Sequence, residues 1–152
     1  MTRFSLQFGQ TQPGLTYVER SSVHGLCPRG ESQIAVAQIG AKAPFEYDLP
    51  GGGVEASEDE AAALMREFLE ETGLTVWPNR VIGRAGQFWV NRGEPRNSLV
   101  TFYEVELSAT DSDPTEPDHA LVWMSPMEAL KKMRHEAHAW AILHWMRQRR
   151  SV

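Results

Sequence analysis

Cysteine is nearly absent: Cys27 stands alone in 152 residues. No intramolecular disulfide and no cysteine-rich zinc site can be built from it. A lone cysteine fits a reducing compartment, and a cytoplasmic location is expected. Long apolar runs are lacking too. No stretch of about 18 consecutive apolar residues occurs, so no membrane span is expected. The first residues, Met1-Thr2-Arg3-Phe4-Ser5-Leu6-Gln7-Phe8, lack the apolar core of a signal peptide. An excess of basic charge is also missing. Lys and Arg number 15 against 20 Asp and Glu, for a net charge of −5. That balance argues against a nucleic-acid partner, which needs a dense basic face. It leaves a small phosphorylated partner open, because a bound divalent cation reverses local charge.

What is present is ordinary globular composition, with 41% hydrophobic and 23% charged residues. No internal repeat or long low-complexity segment interrupts it. The length predicts one domain over 1–152 with a substantial core. Strands are expected within 15–24, from Ile34 to Ile39, across Leu74–Trp77 and Val81–Gly83, from Leu99 to Leu107, and from Ala120 to Met124. Residues 85–97 contain Gly86, Asn91, Gly93, Pro95 and Asn97 and read as turns. Residues 109–119 read as a polar loop. Ser125, with Glu128 three residues on, predicts a capped helix over Pro126–Met133, and a last helix is expected over 135–149. Strands interleaved with helices predict an α/β fold, a mixed sheet with helices on its faces.

The clearest helix spans 57–72. Ser57 and Glu60 have the spacing of a capping box, and Gly73 sits where a left-handed cap is favoured. At about 100° per residue, Ala61, Leu64, Met65, Phe68 and Thr72 share one arc, extended by Leu69 and Ala62. Glu60, Glu67, Glu70 and Glu71 fall opposite, with Ala63 among them. Carboxylates at i,i+3 and i,i+4 repel, and they stand near the end of the helix where the dipole disfavours anions. Helix stability alone did not select that arrangement. Magnesium offers a reason, since it takes carboxylate oxygen and shares its other positions with water and phosphate. A solvated acidic face is the competing reading.

Pro50-Gly51-Gly52-Gly53, just before this helix, weighs against the solvated face. Glycine permits close backbone approach, so an amide or carbonyl here can face a metal or a phosphate. The Lys-Ser/Thr ending of a P-loop and the G-x-G-x-x-G fingerprint are both absent.

Gly52, five residues, Glu58, seven residues, then Arg66-Glu67-Phe68-Leu69-Glu70-Glu71-Thr72-Gly73-Leu74 resembles the Nudix box, G-x5-E-x7-R-E-U-x-E-E-x-G-U, at every fixed position. The bulky apolar positions are Phe68 and Leu74. The resemblance implies a Nudix-like α/β/α sandwich and a hydrolase of acid anhydrides. It implies Glu67, Glu70 and Glu71 as metal ligands, joined by the backbone carbonyl of Gly52, with Mg²⁺ as cofactor and Mn²⁺ as its substitute. It also implies that Arg66 and Glu58 position the carboxylates through an ion pair, as metal sites generally require. For Glu58 the competing reading is a simple first-turn helix acid.

The expected chemistry is metal-assisted attack of water on one phosphorus of a nucleoside diphosphate derivative. No residue is paired as a covalent nucleophile with a base. Gly51, Gly52 and Gly53 are expected at the substrate. A general base is sought in the late loop, where Glu116 and Asp118 rank ahead of His119; a solvated polar loop is the alternative. Phe88, Trp89 and Asn91 are candidates for a base pocket, with Trp89 favoured for the core. Tyr17, Glu19 and Arg20 are candidates from the first strand. The strand before the box, Val36-Ala37-Gln38-Ile39-Gly40, lacks the basic residue that similar proteins often carry there. No added signature marks an ADP-ribose, coenzyme A or cap-processing substrate.

The last helix reads as an amphipathic core helix with a basic end at Arg147, Arg149 and Arg150. His135, His138 and His144 match no familiar zinc spacing. A non-catalytic sensor on the same fold is the alternative to the enzyme. The intact carboxylates and the absence of room for a DNA-binding domain argue against it. A homodimer is compatible with the sequence.

Overall fold

A computed structural model describes residue 4 and residues 6–109 and 112–150. Nine strands and three helices follow one another among these residues: β1 (Gln7–Phe8), β2 (Val18–Leu26), β3 (Pro28–Arg29), β4 (Gln33–Ile39), β5 (Glu46–Asp48), β6 (Gly51–Gly53), α1 (Glu60–Thr72), β7 (Thr75–Asn91), β8 (Glu94–Ala109), β9 (His119–Met124), α2 (Pro126–Lys132) and α3 (Glu136–Arg150). One mixed sheet has the order β1-β7-β8-β2-β6. Its β1–β7 and β2–β8 pairs are parallel, and the others antiparallel. In a second sheet β4 pairs with β3, β5 and β9, always antiparallel. Helix α1 packs on one side, and α2 and α3 on the other. Two buried clusters result. One holds Leu64, Phe68 and Val23 beneath α1, and the other holds Phe102, Ile142 and Trp145 beneath α3. The expected α/β/α sandwich is therefore present. No helix among the described residues is long and apolar enough to cross a membrane.

The N-cap of helix α1 lies two residues later than the sequence predicts. Asp59, not Ser57, is the N-cap, and its side chain accepts from the amide of Ala62 at 2.8 Å. Glu58 thus lies outside the helix, which removes its reading as a first-turn helix acid. Gly73 closes the helix at φ 76°, and its amide donates to Leu69 O. The buried face is Ala63, Leu64, Phe68 and Thr72; Ala61, Ala62 and Leu69 are exposed. Ala63 therefore exchanges places with Ala61 relative to the helical projection.

Gly25 on β2 sets how closely α1 approaches. A Cβ there would meet Phe68 Cε2 at 2.6 Å, Val105 Cγ1 at 3.1 Å and Leu64 Cδ1 at 3.2 Å. Gly25→Ala is expected to cost about 1–3 kcal/mol through overpacking. A fall in the urea midpoint at unchanged m-value checks this. An unchanged midpoint would show that α1 can move aside freely.

The region that reads as turns, 85–97, is instead two long strands. Only Asn91–Glu94 turns, with Arg92 at φ 50° and Gly93 at φ 83°, as a two-residue hairpin with both central residues at positive φ requires. Gly86, and Gly83 just before this region, answer to packing. A Cβ on Gly83 would meet Trp140, and one on Gly86 would meet Gln7. Register shifts near Thr75, Pro78 and Val81 absorb the proline within β7. Ser125 caps α2 as expected, accepting from the amide of Glu128 at 3.2 Å. The carboxylate of Glu128 is 3.4 Å from Lys132 Nζ rather than bonded back to the cap, so only half of a capping box forms.

Candidate active site

The carboxylate face of α1 lies against the glycine strand β6. A Cβ on Gly52 would stand 2.5 and 2.7 Å from the two carboxylate oxygens of Glu67, so only glycine lets that carboxylate reach the backbone. Gly51 N donates to Glu71 Oε1 at 2.9 Å. Arg66 binds the cluster together. Its Nη2 and Nε lie 2.6 and 3.1 Å from the Glu58 oxygens, and Nη1 lies 3.0 Å from Glu67 and 3.4 Å from Glu70. Nη2 also donates to Gly53 O at 3.2 Å. The expected Arg66–Glu58 pair is thus formed and linked to both glutamates and to β6. Glu58 further accepts from the amide of Glu55 at 3.0 Å. The Arg66 hydrogen bond, with that amide, holds the Glu58 carboxyl below the usual range.

Charge accumulates here. Burial first, then the charge of Glu71, pushes Glu67 up to about 7 against the opposing bond from Arg66. His119 Nε2 is 3.3 Å from Glu71 Oε2. That contact raises His119 to about 9, so it is cationic at neutral pH. Of the three late-loop candidates, His119 faces the site. Glu116 and Asp118 are exposed and outside the cleft lining. The signal for His119 is its place at the start of β9, whose register sets it opposite Ile39.

These residues suit a hard divalent cation by donor type and by charge. The oxygens of Glu67, Glu70 and Glu71 outnumber the single arginine among them, and desolvation beside Glu71 disfavours leaving Glu67 without a nearby cation. Among the described residues no three His, Cys, Asp or Glu side chains are grouped so as to hold a metal ion by themselves. Magnesium uses few protein ligands and shares the rest with water and phosphate.

A cleft of about 620 Å³ runs from this cluster across the face of β2, β8 and β7. Gly51, Gly52, Gly53, Glu71 and His119 line one end. At the other, Trp89 donates to Ser98 Oγ at 2.9 Å, and the guanidinium of Arg134 lies 5.2 Å from its ring centroid. Trp89 is therefore a cleft residue and not a core one. Asn91 and Arg20 also line the cleft. Phe88 points to the opposite face and packs edge-on against Tyr17 at 5.3 Å, and Tyr17 and Glu19 are not in the lining. The strand period of two separates these neighbours. Arg134, Asp48, His24, His135 and His138 also line the cleft, His24 directly opposite Gly51, and no local sequence pattern points to them. His138 is buried and kept neutral by burial, so its Nδ1 accepts from the amide of Leu49 at 3.1 Å. His24 Nδ1 donates to Leu49 O at 2.7 Å. Two histidines thereby grip the peptide groups of Leu49, two residues before the glycine strand.

A mixed α/β/α sandwich thus sets a glycine strand and a carboxylate-bearing helix at the head of a polar cleft. The NUDIX domain model matches residues 19–146, and the chain belongs to that family. It is 39% identical over 83 residues to a putative 8-oxo-dGTP diphosphatase 2 of Mycobacterium tuberculosis, covering 54% of this chain and 55% of that one. It is 46% identical over 39 residues to an RNA pyrophosphohydrolase of Acidiphilium cryptum, covering 26% of this chain and 24% of that one. The chain thus spans about a quarter to about half the length of these curated relatives. A NUDIX hydrolase from Nitrosomonas europaea superposes with a TM-score of 0.73 at 18% identity, over 86% of this chain and 90% of that one. A C. elegans Ap4A hydrolase superposes with a TM-score of 0.65 at 18% identity, over 89% and 99%. At such identities the superpositions establish the fold alone.

Proposed function

We propose that the chain is a divalent-metal-dependent pyrophosphohydrolase that cleaves a phosphoanhydride bond in a nucleoside diphosphate derivative. The observation that carries this reading is the Glu67 carboxylate pressed against the backbone of Gly52, with Glu71 tied to Gly51 at the head of an open cleft. Glu67, Glu70 and Glu71, with the Gly52 carbonyl, are the proposed ligands, and Mg²⁺ or Mn²⁺ the cofactor. Such an ion, when bound, neutralises phosphate charge and makes water a better nucleophile.

The chain's own residues do the positioning. Arg66 sets the spacing of Glu67 and Glu70, and Glu58 fixes Arg66. His119 holds Glu71 from the cleft side. Being cationic near neutrality, His119 is a poor proton acceptor there. Glu67 is a proposed ligand that a bound cation would hold ionised, so its rise to about 7 in the ion-free protein marks a site that favours a cation. Glu116 and Asp118, the bases expected on sequence grounds, are exposed, and the amide of Glu116 donates to Glu70 O at 2.8 Å, which ties their loop to the last turn of α1. The activities for which the relatives are named, on 8-oxo-dGTP, Ap4A and RNA pyrophosphate, share an anhydride adjoining a nucleoside, and the cleft offers Trp89 for the base.

The test is incubation with Mg²⁺ and a panel of nucleoside triphosphates, oxidised guanine nucleotides, nucleotide sugars, ADP-ribose and dinucleoside polyphosphates. Phosphate or nucleotide release that EDTA abolishes is expected for at least one substrate. No turnover across the panel, together with no Mg²⁺ binding by calorimetry, would leave a nucleotide sensor as the better account.

A further inference from the structure

Ser22 lies on β2 and lines the cleft, with 8% of its surface exposed. Its hydroxyl oxygen is the one buried side-chain N or O among the described residues that has no hydrogen-bond partner. Buried hydroxyls are ordinarily paired, because an unpaired one forfeits its hydration without recompense. The neighbours of Ser22 suggest what it awaits. In the sheet it stands opposite Gly53 on β6 and beside Val100 on β8. The side-chain position of Gly53 is open space, with no atom within 4 Å of a Cβ placed there. Val100 has no polar side-chain atom to offer. Two residues along the same face is Arg20, which lines the cleft, is exposed and makes no ion pair among the described residues.

Strands lie about 4.8 Å apart. Ser22 is thus one strand from the glycine strand at the carboxylate cluster, and two strands from β7, which carries Trp89. A nucleoside diphosphate derivative that spans the cleft from Glu71 to Trp89 crosses β2 with its middle part, and the open space at Gly53, beside Ser22 and Arg20, lies on that path. With nothing bonded to it, the hydroxyl is free to turn between staggered wells about a single torsion and donate upward.

We infer that Ser22 is a substrate-binding residue, its hydroxyl donating to an oxygen of the phosphate next to the reacting one, with Arg20 supplying charge. This rests on the proposed use of the cleft by a nucleoside diphosphate derivative.

The experiment uses Ser22→Ala in the full chain. Thermal melting is measured on the metal-free protein. Binding of inorganic pyrophosphate, adenosine diphosphate and adenosine is measured by calorimetry with Mg²⁺. The variant is expected to melt no lower than the parent, since it gives up no hydrogen bond. It is expected to bind pyrophosphate and adenosine diphosphate roughly tenfold more weakly, the effect of losing a hydrogen bond to a charged group. Adenosine binding is expected to stay the same. Equal pyrophosphate affinities in parent and variant overturn the inference, as does absence of pyrophosphate binding by the parent. A lower melting temperature with unchanged affinities assigns Ser22 a structural role instead. Weakening confined to adenosine assigns it to the sugar. If pyrophosphate binding weakens while no panel compound is hydrolysed, the phosphate subsite stands and the hydrolase reading fails. If a panel compound is hydrolysed while the affinities are unchanged, the hydrolase reading stands and the phosphate subsite fails.

Discussion

Glu67→Gln is expected to lower kcat on the order of 10³-fold, the scale of losing a group that stabilises developing charge. The same variant is expected to melt at or above the parent temperature. Both expectations come from one geometry. The Glu67 carboxylate is desolvated, lies against Gly52 and feels the charge of Glu71. An amide of nearly the same shape removes the repulsion and keeps the packing, but it is a far weaker ligand for a hard cation. Steady-state kinetics, Mg²⁺ calorimetry and melting of the metal-free protein together check this. Glu70→Gln, at the more exposed corner of the cluster, is expected to follow in the same direction. Near-parental rates in both variants would refute the metal-ligand assignment. A large fall in melting temperature would show instead that Glu67 holds the fold through Arg66.

The end of the cleft that carries these carboxylates is legible in the sequence because its determinants are local. Glu58, Arg66, Glu67, Glu70 and Glu71 lie within 14 residues on one helix and its lead-in, and helical geometry alone brings the last four together. The helix start is ambiguous because Ser57 and Asp59 both suit an N-cap. Asp59 prevails, leaving Glu58 free to receive Arg66 and the amide of Glu55. The opposite end is not legible. Trp89, Arg134, Asp48 and His138 meet from β7, the α2–α3 junction, β5 and α3. Their separations in sequence are set by sheet order, which no local pattern encodes. Glycines mislead for the same reason. Gly86 looks like a turn former, yet it makes room for Gln7 from a distant element, as Gly83 in the strand before it does for Trp140. Trp89 looks like core because its apolar surface is large. Its partner Ser98, and the face it shares with Arg96 on β8, become visible only with the register.

Arg134→Ala is expected to cost about 3 kcal/mol, the lower end of the range for breaking a buried ion pair. For a chain of this length that is a fall in Tm of roughly 6–12 °C. Arg134 grips Asp48 through two bonds, Nε to Oδ1 at 2.9 Å and Nη2 to Oδ2 at 2.8 Å, while its amide donates to Tyr47 O at 3.0 Å. The Asp48 side chain is 10% exposed and that of Arg134 26%, so water compensates the arginine more readily than the acid. Removing Arg134 leaves the acid without its cation. Neutralising Asp48 as well removes the charge that was stranded, so Asp48→Asn combined with Arg134→Ala is expected to lose less stability than Arg134→Ala alone. The pH dependence follows from the acid. Burial pushes the Asp48 carboxyl up, but the charge of His138 and the bonds and charge of Arg134 outweigh it and hold it at about 2 against an ordinary 3.8. His138 is neutral at neutral pH, which leaves Arg134 as the cation that matters there. A lowered carboxylate pKa contributes stability that is present above 3.8 and is lost as the pH falls through about 2. The penalty of Arg134→Ala is therefore expected in full at neutral pH and to shrink progressively below about pH 4. Urea midpoints of parent, single and double variants across that range test it. A penalty independent of pH would assign the role of Arg134 to its packing over Trp89. Asp48 immediately precedes Leu49-Pro50-Gly51, so an ion pair that holds Asp48 also holds the approach of the glycine strand to Glu71. Loss of stability and a raised KM are accordingly expected together in Arg134→Ala, and in the double variant the stability loss is expected to ease while KM stays raised.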